Sequence, residues 1–143
     1  MRPFTGINGC LLIDDTFSAN SLSMTAAISW LHAIKYDDHR TILIVGDMDN
    51  LGVNNQQVHR RVGQELTDDI DYLITKGSNA ALIGRSAIDN GMNPNHVKMT
   101  YSVQDVVYEL KNLDVTELDV VLVKGGSESD MALVTRALMQ DET

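Results

Sequence analysis

Cys10-Leu11-Leu12-Ile13-Asp14-Asp15-Thr16-Phe17-Ser18-Ala19-Asn20-Ser21-Leu22-Ser23-Met24 runs from an apolar stretch, through two carboxylates and a polar segment, into a helical pattern. The apolar stretch predicts a buried strand over Cys10–Asp14. From near Met24, Ala27, Ile28, Leu31 and Ile34 recur on one face and predict an amphipathic helix. Asn20, Ser21 or Ser23 can cap that helix, because a side-chain oxygen there accepts from a first-turn N–H. A strand that turns directly into a helix is half of a βαβ unit.

The alternation continues outward from this unit. Thr41–Gly46, Tyr72–Thr75, Val97–Thr100 and Val120–Val123 read as further strands, and Val120–Val123 is the clearest buried one. Val58, Val62 and Leu66 recur every four residues and mark a second helix. Ala80 to Ile88 reads as a third, stopped by Asn90-Gly91. Val103, Val106, Val107 and Leu110 give a fourth helical face, and Met131, Val134 and Leu138 give the last. Strands alternating with helices predict an α/β, Rossmann-like fold: a mainly parallel sheet of about five to six strands with helices on both faces. Right-handed crossovers would bring the strand ends near Asp15, Gly46, Lys76, Thr100 and Lys124 to one edge. Ligands of such folds bind beyond that edge.

At 143 residues the chain is long enough for one domain with a real core, and it is expected to be one unit over 1–143. No apolar run reaches the length of a membrane span, and no signal-peptide pattern opens the chain. The single cysteine, Cys10, lies within the first strand and reads as a small apolar residue. These features suggest a cytoplasmic protein. The net charge of −9, with no basic cluster beyond Arg60-Arg61, argues against a nucleic-acid partner. An anionic substrate would need a local cradle.

Three segments fall on the predicted edge. Asp14 and Asp15 either make turn hydrogen bonds or accept from a ligand. In Gly46-Asp47-Met48, either Gly46 serves a positive φ or a close backbone approach and Asp47 positions the following loop, or the segment is an ordinary strand-to-loop turn. Lys124-Gly125-Gly126-Ser127 precedes a helix, whose N-terminus with Lys124 could hold a carboxylate or phosphate. The plain alternative there is a strand-to-helix turn capped by Ser129 or Asp130. The order Gly-x-x-x-x-Gly-Lys-Ser/Thr is absent, so this is not a P-loop. His59 has no carboxylate or cysteine partner at metal-ligand spacing, and no nucleophile–base arrangement of a hydrolase stands out.

These segments also resemble the Mur ligases. Asp14-Asp15-Thr16-Phe17-Ser18-Ala19-Asn20-Ser21 is similar to the Asp-Asp-Ser-Tyr-Asn-Ala-Asn-Pro stretch that opens their C-terminal domain. Val45-Gly46-Asp47-Met48-Asp49-Asn50-Leu51-Gly52, with His59-Arg60-Arg61-Val62-Gly63, is similar to Gly-Asp-Met-x-Glu-Leu-Gly…His-x-x-Val-Gly. Val121-Leu122-Val123-Lys124-Gly125, with Met131, resembles Leu-Val-Lys-Gly-Ser-Arg-Ser-x-x-Met. Phe17 stands where the family has Tyr, Ser18 where it has Asn, Ser21 where it has Pro, and Glu128 falls near its Arg.

The resemblance implies the C-terminal, glutamate ligase-type domain of an ATP-dependent amide-forming ligase of peptidoglycan synthesis. The branch it most resembles adds D-alanyl-D-alanine to UDP-N-acetylmuramoyl tripeptide. Asp14, Asp15, Phe17 and Asn20 would then face the nucleotide, and Asp47, His59, Lys124 and Ser127 the substrate. ATP and Mg²⁺, like the UDP-N-acetylmuramoyl peptide, would be bound mainly by N-terminal and central domains that are absent here. By spacing, the family's Gly-Arg pair would fall just before Met1, so the chain is expected to be inactive alone. Two alternatives stay open. One is a related ligase using another amino acid, since Glu128 would repel a substrate carboxylate. The other is a non-enzymatic binding module that keeps only this fold.

Overall fold

Strand β6 (Asp119–Lys124) is buried at every position, as a strand must be when it lies mid-sheet with helices over both faces. In the computed structural model, which describes residues 1–16, 20–34, 39–49, 51–66, 70–126 and 129–139, it is flanked by β2 (Leu11–Asp15) and β3 (Arg40–Gly46). Beyond β3 lie β4 (Tyr72–Lys76) and β5 (Val97–Thr100), and beyond β2 lies β1 (Arg2–Thr5). The six strands take the order β1-β2-β6-β3-β4-β5. All neighbours are parallel except β1, which pairs antiparallel with β2. The mainly parallel sheet expected from the alternation is present.

Successive strand residues point to opposite faces, so each strand feeds two cores. Ile13, Leu43, Val45, Leu73, Val120 and Leu122 pack with Met24, Ala27, Ile28 and Leu31 of α1 (Ser21–Ala33), Val62 of α2 (Asn55–Glu65) and Ile83 of α3 (Ala80–Asp89). Leu12, Ile42, Ile44, Ile74, Val121 and Val123 pack with Val106 and Leu110 of α4 (Val103–Asn112) and with Met131, Val134 and Leu138 of α5 (Met131–Leu138). The helical faces expected from periodicity are these buried faces. Cys10 joins the second core at 1% exposure, and burial pushes its thiol up to about 11.

Several boundaries move by a few residues. Helix α1 begins at Ser21 rather than near Met24, because Asn20 caps it there. Helix α2 ends at Glu65, and Leu66 is already extended. Strand β1 was not expected: it is a short edge strand with Pro3 inside it, and it leaves almost no period to detect. Among the described residues no helix is long and apolar enough to cross a membrane.

The amino end of the sheet is locked by a charge pair. Arg40 donates from Nε and Nη2 to the two carboxylate oxygens of Asp119, both at 2.8 Å, and from Nη2 to the Leu113 carbonyl at 2.8 Å. Burial would raise the Asp119 carboxyl, but the hydrogen bonds from Arg40 and the Thr116 N–H outweigh it and hold it below its ordinary value.

Candidate functional site

The register places five strand ends side by side: Asp15 pairs with Lys124, Lys124 with Val45, Gly46 with Lys76, and Lys76 with Thr100. The chain leaves β2 and β3 into helices on one face, whereas β6 between them leads to α5 on the other. Such a reversal opens a crevice at the carboxyl edge, the usual ligand position in open α/β sheets. All three segments singled out in the sequence meet there.

At the end of β2 the two aspartates are bound differently. Asp14 Oδ1 accepts from the Thr16 N–H at 3.1 Å and the Thr16 hydroxyl at 2.6 Å, and Asp14 Oδ2 accepts from Arg2 at 3.1 Å. This is the turn chemistry open to an aspartate in a strand-to-loop bend. Burial acts to raise its carboxyl, but these donors prevail and hold it below the usual range. Asp15 turns to β6. Its Oδ2 lies 3.1 Å from Lys124 Nζ, and its carbonyl also takes a hydrogen bond from that ammonium at 3.4 Å. Lys124 is 1% exposed. The ammonium expected to cradle a substrate anion is therefore directed at Asp15, because a buried cation requires a nearby counter-charge.

Asn20 caps α1. Its Oδ1 accepts from the Ser23 N–H at 2.9 Å, while Ser23 Oγ accepts from the Asn20 N–H at 3.0 Å. The residue is exposed. Phe17, Ser18, Ser127 and Glu128 lie outside the described residues.

The loop after β3 is tied on three sides. The Asp47 carboxylate accepts from the Ala80 N–H at 2.7 Å, so it caps α3 from outside that helix. Gly77, at φ +116°, makes room for it, since a Cβ there would meet Asp47 Oδ1 at 2.5 Å. The Asp47 carbonyl accepts from the Gly126 N–H at 3.1 Å, and the Asp49 carboxylate packs where a Gly126 Cβ would stand. His59 is fully buried; its Nε2 accepts from the Met48 N–H at 3.0 Å and its Nδ1 lies 2.7 Å from the Asn55 carbonyl. That pairing requires the tautomer with hydrogen on Nδ1. Asp47 and His59, expected at the substrate edge, thus spend their polar atoms on shaping it.

Gly46 serves close approach rather than a positive φ, because a Cβ there would meet Met131 Cγ at 2.5 Å. Lys76 Nζ donates to the Ser129 carbonyl at 3.0 Å and braces the loop after β6. Sequence periodicity carries no signal for Lys76 or Asp49, whose partners come from remote loops. Among the described residues no group of three or more His, Cys, Asp or Glu side chains is placed to hold a metal ion. Over the described residues the edge is a cross-bonded platform.

The family described as Mur ligase, glutamate ligase domain, matches residues 1–127. UDP-N-acetylmuramoyl-tripeptide–D-alanyl-D-alanine ligase of Escherichia coli is 31% identical over 140 residues, covering 93% of this chain and 28% of the relative. The enzyme of the same name from Haemophilus influenzae is 43% identical over 77 residues, covering 53% of this chain and 16% of the relative. The chain therefore spans less than a third of the length of these relatives. Among solved structures, MurF from Acinetobacter baumannii superposes with a TM-score of 0.78 at 23% identity, over 98% of this chain and 29% of that one. MurF from Thermotoga maritima, solved in complex with ADP, gives 0.75 at 19% identity, over 94% and 29%.

Proposed function

This chain belongs to the Mur ligase, glutamate ligase domain family, and from that premise we propose that it is the C-terminal domain of an ATP-dependent ligase. The reaction would join the free carboxyl of UDP-N-acetylmuramoyl tripeptide to the amine of D-alanyl-D-alanine, converting ATP to ADP and phosphate. The observation that carries this reading is convergence. Three segments far apart in sequence, each similar to the ligases, meet at one reversal point of the sheet.

ATP and Mg²⁺ would be held mainly by the preceding domains, with ATP supplying the free energy of amide formation. The residues of this chain would close the edge over the nucleotide, exclude water and present the amine. Asp15, Phe17 and Asn20 would form the nucleotide side, with Asp14 setting the turn that delivers them. Ser127 would face the amine substrate. Lys124, Asp47 and His59 would act through the platform: Lys124 fixes Asp15, Asp47 fixes α3 and the Gly126 turn, and His59 fixes Met48.

The test is an ATP-dependent ligation assay on UDP-N-acetylmuramoyl tripeptide and D-alanyl-D-alanine. It compares this chain alone with a chimaera in which it follows the N-terminal and central domains of the Escherichia coli relative. Amide product from the chimaera, and none from either part alone, is expected. Product with a different amino acid but not with D-alanyl-D-alanine would overturn the substrate assignment. Product from this chain alone would overturn the division of labour.

A further inference from the structure

Away from the carboxyl edge, α2 and α3 approach closely because residue 63 is glycine: a Cβ there would meet Ser86 Cβ at 2.6 Å. The contact is completed by Ser86 Oγ, which donates to the Arg60 carbonyl at 2.6 Å. Beside it a cleft of about 290 Å³ lies between the two helices, lined by the half-buried Leu82 and by the exposed Arg60, Gln64 and Arg85. Asn90 also lines it, its amide donating to the Ser86 carbonyl at 2.8 Å.

The charge of this cleft runs against that of the chain. Two guanidiniums and one carboxylate, Asp89, line it, on a protein of net charge −9. Among the described residues neither guanidinium has a carboxylate partner. Arg60 comes from α2 and Arg85 from α3, and the helix packing that holds Ser86 against the Arg60 carbonyl brings both side chains to this one cleft. Guanidinium groups pair with carboxylate and phosphate through parallel N–H donors and stack on flat apolar groups. The cleft volume lies near the lower limit of small-molecule sites.

We propose that this cleft is a binding site for a small organic anion, with a phosphate or carboxylate head between Arg60 and Arg85 and a flat apolar body on Leu82. Asp89 sets the polarity of the site: it opposes a second negative charge at its own end and so favours a ligand with a single anionic head. The site is independent of the ligase reading, since none of its residues reaches the carboxyl edge.

The experiment is a ¹⁵N–¹H titration of the chain with phenyl phosphate, inorganic phosphate and phenol. Phenyl phosphate is expected to give saturable shifts at the amides of Arg60, Gln64, Arg85 and Ser86, with weaker binding of inorganic phosphate and none of phenol. The double variant Arg60→Gln, Arg85→Gln should weaken phenyl phosphate roughly tenfold or more. Its unchanged spectrum elsewhere would show that the fold is intact. Shifts that do not saturate, shifts centred on the strand ends, equal binding by the double variant, or equal affinity for the two phosphates would each overturn the proposal.

Discussion

The ammonium of Lys124 lies 3.1 Å from Asp15 Oδ2 and 3.4 Å from the Asp15 carbonyl, with 1% of Lys124 exposed. The pair joins the ends of two adjacent parallel strands at the point where the chain turns toward α1. The lysine is buried along its length and its head is satisfied at Asp15. The lysine of the Lys-Gly motif is thereby a brace for the edge.

Removing Lys124 leaves Asp15 with the N-terminal ammonium, 3.6 Å from its Oδ1, as its remaining counter-charge among the described residues. Breaking a fully buried pair costs about 3–5 kcal/mol, and the partial solvent access of Asp15 puts Lys124→Ala at the lower end of that range. The double variant Asp15→Asn, Lys124→Met should recover most of the loss, because no isolated charge remains. Urea unfolding of the two variants checks this; a double variant as unstable as the single would contradict the charge account.

His59 is expected to act as a tether rather than a proton carrier. His59→Leu fills similar space but leaves the Met48 N–H without its partner, at a cost of about 1–3 kcal/mol, while the Asn55 carbonyl keeps the helix bond from the backbone of residue 59. Hydrogen exchange should lose protection at the Met48 amide more than at β3 residues such as Leu43. Unchanged protection at Met48 would mean that the bond contributes nothing to holding the loop.

Acid should weaken the fold through Asp14 and Asp119. Both carboxyls are held below their ordinary values in the folded chain, so the unfolded chain binds more protons as pH falls. Their contribution is complete above about pH 5 and is lost as pH drops through the folded values, below about 4. Urea midpoints between pH 2.5 and 6.5 should fall at the acid end. Asp119→Asn, already less stable at neutral pH, should show a shallower fall.

Gly63→Ala should destabilise the protein although alanine is the better helix former. The propensity gain is about 1 kcal/mol, whereas a Cβ driven against the Ile83 carbonyl and Ser86 has to separate α2 from α3, and overpacking typically costs about 1–3 kcal/mol. A lowered melting temperature is expected. A raised one would show that the two helices yield freely.

Much of the fold was legible because each core-facing element carries a period. Val120–Val123 reads as buried from its unbroken apolar run, and Ala27, Ile28 and Leu31 read as one helical face. Strand β1 was not, since a short edge strand with Pro3 acquires its identity only by pairing with β2. At the candidate site, the positions of Asp15, Gly46 and Lys124 at one edge followed from the strand–helix order. Their bonding did not: Lys124 finds Asp15 across 109 positions of chain, and Asp47 finds Ala80 across 33.

The class of fold, the edge where a site would be built and the family resemblance are all written in the amino-acid order, because hydrophobic period and motif order are local properties. Which polar residues bond to one another at that edge is settled by the packing of the folded chain. A buried carboxylate, ammonium or imidazole must find its partner among whatever groups folding brings near. For Lys124, Asp47 and His59 those groups lie on neighbouring strands, helices and loops of the chain itself.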